Sequence, residues 1–186
     1  MSWALLSDWV ESPSLRRHVL AVEAAMRAYA GALGGEPELW GATGLLHDLD
    51  YERHPSVADG HPRYALAELQ RRGYPAELVR AVASHADYMG LPRETPMERA
   101  LYAVDELSGF VAACAYVRPQ GIVGLGPKSV RKKLRTPAFA AAIDREAVQR
   151  GAEELGTEFD EHVRFVVAAL EPHAAELGLG GTAAAG

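Results

Sequence analysis

Helix punctuation recurs along this chain, and no segment alternates apolar and polar residues as a half-buried strand would. Ser12-Pro13 offers a capping side chain followed by proline at the first helical position. Leu15, Val19, Val22, Met26, Tyr29 and Leu33 then recur at spacings of 4, 3, 4, 3 and 4, until Gly34-Gly35 supplies a stop. A second helix is expected from Glu36 to about Asp48. HPRYALAELQRRG, ending at Gly73, and PAELVRAVASHA, opened by Pro75, read as two more. Thr95-Pro96-Met97-Glu98 has capping-box spacing, so the helix it opens is expected to reach about Val117, where Arg118-Pro119 ends it. After the glycine-rich loop GIVGLG, helices are expected again at KSVRKKLR, TPAFAAAI, DREAVQRGAEELG and TEFDEHVRFVVAALEPHAAELGL, with Pro172 kinking or ending the last. The expectation is an all-α chain folded as a compact helical bundle.

With 186 residues, 48% of them hydrophobic, the chain can bury one substantial core, so a single domain over residues 1–178 and a flexible tail over 179–186 are expected. No run of 18 apolar residues occurs, and MSWALLSDWVES lacks the cationic start and small-residue cleavage site of a secretory leader. A cytoplasmic protein without membrane association is expected. Cys114 is the sole cysteine; its neighbours in FVAACAYV suit an inert buried thiol better than a nucleophile.

A net charge of −6 argues against stable nucleic-acid binding. Its distribution is uneven. Between Glu106 and Asp144 no acid occurs, yet Arg118, Lys128, Arg131, Lys132, Lys133 and Arg135 all do. With six cations in that window, a net of −6 leaves the rest of the chain at −12. This island is either a solvated helix face or an anion site. GIVGLGPKS looks superficially like a P-loop, but Pro127 stands where lysine should follow the glycine and no strand leads in. The start of the next helix could still favour an anion.

Several polar residues occupy positions where apolar ones are expected. His18 lies beside the Leu15, Val22 and Met26 stripe, and His85 follows Leu78 and Val82 at helical spacing. His61 begins a helix whose Ala65 and Leu69 share its side, and His47-Asp48 follows Leu45-Leu46. Asp105 falls among Leu101, Val104, Ser108 and Val111, where a carboxylate needs a cation or several donors. Any one of these histidines alone is ordinary in a core or on a surface. As a set on separate helices they match the way helical proteins build metal sites. Imidazole and carboxylate without thiolate suit iron, manganese, zinc, nickel or cobalt.

The order His18, His47-Asp48, Asp105 resembles the HD superfamily of metal-dependent phosphohydrolases, named for that doublet. The resemblance extends over nearly the whole chain to a bacterial group of small predicted HD hydrolases, through LLHDLDYERHP, MERALYAVDELSGFVAACAYVRP and SVRKKLR. It implies that His18, His47, Asp48 and Asp105 bind one metal. His61 and His85 match the intervening histidines of members with a second ion, bridged there by the doublet's aspartate, here Asp48. His54 has no position in that pattern.

The function so implied is hydrolysis of a nucleotide or another small phosphorylated metabolite by a metal-activated water, as a phosphomonoesterase or phosphodiesterase. One or two divalent transition-metal ions would be required. Asp48, Arg118 and Lys128 are the expected catalytic residues; Ser129, Lys132 and Lys133 join Arg118 and Lys128 as candidate substrate contacts. Two other readings stay open at this point. A branch of the same superfamily uses a similar ligand set in di-iron oxygenases, and a nonenzymatic nucleotide sensor could keep the metal as a structural element. Metal identity and oligomeric state are not legible.

Overall fold

Capping chemistry decides where the helices begin in the computed structural model, which describes residues 2–181. Cα packing divides the chain into two compact units, one through Tyr102 and one from Ala103.

In the first unit α1 (Ser2–Trp9) precedes α2 (Pro13–Leu33). Ser12 Oγ accepts from Leu15 N at 3.4 Å, and Pro13 occupies the first turn, where its missing N–H costs nothing. Gly34 closes α2 with φ 73°, a left-handed conformation that a side chain would strain. Val19, Val22, Met26 and Tyr29 of the expected stripe are buried; Leu33, its last member, is exposed at the helix end. α3 (Pro37–Leu46) is capped by Glu36, whose carboxylate accepts from Glu38 N at 3.0 Å and Leu39 N at 2.6 Å. Gly44 lets α3 press against α2. A Cβ there would stand 3.0 Å from Glu23 N, Val22 C and Met26 Cγ.

The second helix is shorter than expected: it stops at Leu46, and His47, Asp48 and Asp50 lie in the turns that follow. α4 (Arg63–Arg71) likewise starts after His61 rather than with it. Pro62 stands at its N-cap without a side chain able to cap, and Asp50 Oδ2 takes that role by accepting from Ala65 N at 2.8 Å. α5 (Ala76–His85) ends on the histidine, followed by a 3₁₀ turn at Asp87–Met89. Leu6, Val19, Leu46, Leu49, Leu69 and Leu78 are fully buried in this unit's core. α6 (Pro96–Tyr116) opens with the expected capping box: Thr95 Oγ1 accepts from Glu98 N at 3.3 Å, and Glu98 Oε2 accepts from Thr95 N at 3.4 Å. The division between the units falls inside this helix.

The second unit continues with α7 (Pro127–Leu134), α8 (Arg145–Leu155) and α9 (Phe159–Leu170). Asp144 caps α8, accepting from Glu146 N at 2.8 Å and Ala147 N at 3.1 Å. TPAFAAAI, expected to be helical, is a run of turns. The Arg145 guanidinium draws in the carbonyls of Thr136, Pro137 and Phe139, at 3.1, 3.2 and 2.5 Å, and these carbonyls find a donor without helix formation. Pro172 ends α9, leaving a 3₁₀ turn at Glu171–His173. Of the tail expected from residue 179, Leu179 is buried and its carbonyl accepts from Ile122 N at 2.9 Å; residues 182–186 lie outside the described residues. Among the described residues no strand is formed, and no helix is long and apolar enough to cross a membrane. Cys114 is buried, and burial pushes its thiol up to about 11, as expected for an unreactive sulfur.

Candidate metal centre

The turn after α3 points Asp48 into a ring of histidines from α2, the same turn, α5 and the segment before α4. Oδ2 of Asp48 lies 3.5 Å from His47 Nε2 and 3.7 Å from His18 Nε2. Oδ1 lies 3.5 Å from His61 Nε2 and 3.9 Å from His85 Nε2. Each carboxylate oxygen thus faces its own pair of imidazoles. These separations are long for hydrogen bonds. They suit ligand atoms sharing an ion, because donors bound at about 2.1 Å stand roughly 3 to 4 Å from one another.

Three of the rings have their tautomer set from behind. His47 Nδ1 lies 2.8 Å from Gly44 O, His61 Nδ1 2.7 Å from Asp50 Oδ1, and His85 Nδ1 2.6 Å from Val82 O. A carbonyl or carboxylate oxygen only accepts, so each Nδ1 carries the proton and donates. In a neutral ring Nε2 is then a lone pair. His61 Nε2 and His85 Nε2 meet at 3.2 Å, so with both rings neutral they present acceptors to each other beside the Asp48 carboxylate. A cation resolves that conflict. His47, Asp48 and His85 also offer ligand atoms all within 4.8 Å of one another, so the donor set fits a divalent ion.

Asp50, fully buried, stands behind this site, bonded to His61 Nδ1 and Ala65 N, and is not among the residues expected there. Burial pushes its carboxyl up, but the bonds from His61 and Ala65 N outweigh this and hold it below the ordinary carboxylate range. The available signal was the second aspartate of HDLD, alternating with a leucine that is itself buried. Tyr88 gave no such signal. Its hydroxyl donates to His61 O at 3.1 Å, and burial, helped by the charges of Asp48 and Asp50, pushes the phenol up to about 12.

His54 is outside the ring of histidines: its imidazole stacks on Tyr64 at 3.8 Å, while its carbonyl accepts from His61 N at 2.6 Å. Asp105 stands half-buried on α6, in the unit that begins at Ala103. In that same unit Arg118 Nε and Nη2 donate to Gly121 O at 2.9 Å and Val123 O at 2.8 Å, holding the glycine-rich loop. Lys128 and Lys132 are exposed on α7, where Ser129 N turns back to Gly126 O at 3.0 Å. Lys133 lays its ammonium 4.5 Å over the Phe139 ring.

A helical chain that gathers histidines around an aspartate of a His-Asp doublet defines a class of metal-site protein. The HD domain family profile matches residues 15–109, just over half of the chain, and the chain belongs to that family of metal-dependent hydrolases. His18, His47, Asp48, His61, His85 and Asp105 all fall inside the match; the cationic island lies beyond it. No curated protein and no solved structure matches the chain.

Proposed function

We propose that the chain is a metal-dependent phosphohydrolase acting on a nucleotide or another small phosphorylated metabolite, as a phosphomonoesterase or phosphodiesterase. The observation supporting it is the division of Asp48 between two histidine pairs. His18 and His47, joined by Asp105 in the family pattern, would hold one ion. His61 and His85 would hold a second, with Asp48 serving both. Iron, manganese, zinc, nickel and cobalt all suit such donors. Bound there, a divalent ion would supply Lewis acidity and lower the pKa of a water toward about 7.

The chain's own residues do the rest. Gly44 O, Val82 O and Asp50 keep the imidazole lone pairs aimed inward, so no proton must move before a ligand is met. Phosphoryl transfer depends chiefly on positioning and charge neutralisation. Arg118 and Lys128, with Ser129, Lys132 and Lys133, are proposed for the second task. Elemental analysis of untagged protein, followed by an anaerobic phosphate-release screen over nucleotides with the metal found, tests this. Oxygen uptake by the reduced iron protein without phosphate release would replace it with the oxygenase reading; a full metal complement with neither activity would favour the sensor.

A further inference from the structure

Asp50 is neither half of the His-Asp doublet nor one of the pattern's ligands, yet it makes two side-chain bonds in a fully buried position. Oδ1 accepts from His61 Nδ1 at 2.7 Å and Oδ2 accepts from Ala65 N at 2.8 Å. We infer that Asp50 is a positioning residue: one carboxylate selects the His61 tautomer that exposes Nε2 to Asp48 and, by capping α4, fixes the segment from which His61 reaches the site. The inference rests on the metal-centre reading and extends it.

The three histidines differ in how their tautomers are set. His47 and His85 lean on carbonyls three residues back in their own chain, Gly44 O and Val82 O, and adopt the same tautomer wherever the local helical turn forms. His61 has no such local acceptor, because it precedes α4 and is followed by Pro62. Its Nδ1 acceptor comes from eleven residues earlier in the chain. The anionic acceptor also strengthens Nε2 as a donor, as carboxylate–histidine pairs do behind metals. The backbone of His61 is held at both polar atoms: N donates to His54 O at 2.6 Å, and O accepts from Tyr88 Oη at 3.1 Å. With the backbone so held, the ring packs edge-on to Tyr51 and His85, and Asp50 supplies the acceptor that fixes which nitrogen carries the proton.

Asp50→Asn nearly preserves shape but has only one acceptor oxygen. If that oxygen keeps Ala65 N, the amide NH₂ faces His61 Nδ1 and favours the opposite tautomer, with the proton on Nε2 and the lone pair turned away from Asp48. The first measurement needs no metal and no variant. Long-range ¹H–¹⁵N correlation on metal-free, histidine-labelled wild type at pH 8 should place the His61 proton on Nδ1; a proton on Nε2 would overturn the assignment outright. In Asp50→Asn the proton should shift toward Nε2, and Zn²⁺ titration should show binding on the His61 side weakened by about 10- to 100-fold. Asp50→Glu should restore part of both. If Asp50 only caps α4, Asn lowers the unfolding midpoint while tautomer and Zn²⁺ binding stay as in wild type, and the positioning role is refuted. If wild type binds no Zn²⁺, Mn²⁺ or Fe²⁺, the metal reading fails, while the tautomer still decides whether Asp50 sets the ring.

Discussion

His61 Nε2 and His85 Nε2 face each other at 3.2 Å while the Nδ1 atom of each ring is held by an oxygen acceptor. Neither neutral ring can donate across that gap, so the pair gains whenever a cation enters. Divalent ions should therefore raise the unfolding midpoint of metal-free protein. At a hundredfold excess over Kd the gain is about 2.7 kcal/mol. Wild type should bind two equivalents and the His61→Ala, His85→Ala double variant one. Unchanged stoichiometry by elemental analysis would remove the second ion from the scheme.

Gly44 ties helix packing to the site. It lets α3 approach α2 closely, its carbonyl holds His47 Nδ1, and α2 carries His18. Gly44→Ala must push the helices apart against backbone atoms, at a cost of about 1–3 kcal/mol. Divalent-ion affinity should fall as well, because His47 moves relative to His18. Thermal unfolding and Zn²⁺ titration on the same sample check both; full stability would mean that the helices separate freely.

Much of this was legible locally. Ser12-Pro13, Gly34, Thr95 with Glu98, and Pro172 act within a turn of themselves, so the helices they bound could be read from residue order. What escaped depends on partners distant in sequence. TPAFAAAI has helical composition, but Arg145 gathers its carbonyls from up to nine residues away. His61 looked like the first residue of a helix because Ala65 and Leu69 follow at helical spacing. It lies before α4 because the cap is Asp50, fifteen residues before Ala65. The His-Asp doublet was visible as a motif, whereas the buried acid two residues beyond it shows its purpose only through those two distant bonds.

Arg118 and Lys128 should separate in their effects. Arg118 donates to two carbonyls of the glycine-rich loop, one part-buried and one open to water, so Arg118→Ala should cost about 0.5–1.5 kcal/mol. Arg118→Lys should recover only part, since one ammonium cannot reproduce the planar fork. Lys128 is exposed, and Lys128→Ala should change stability by less than about 0.5 kcal/mol. If it neutralises a phosphate, phosphate release should still drop. Wild-type turnover in the Lys128 variant, with metal content equal, would take this lysine out of the substrate site.

His162 should make the second unit acid-sensitive. It is fully buried on α9, and its Nε2–H donates to Ala103 O at 2.9 Å. Burial pushes its imidazole below the ordinary value, and the bond to Ala103 O only partly offsets that. The unfolded chain, with an imidazole pKa of about 6.5, therefore takes up a proton before the folded chain does. Stability from neutral burial is complete above about pH 6.5 and is lost as pH falls from there toward the lower folded value, with a slope of at most about 1.4 kcal/mol per pH unit. His162→Gln keeps an amide donor for Ala103 O and removes the titration. Denaturant unfolding of metal-free protein between pH 8 and pH 5 should show a shallower acid loss in the variant, by up to one proton. The histidines around Asp48 are present in both proteins, so the difference between the two slopes reports His162. Parallel curves would mean that His162 can be protonated inside the fold without penalty.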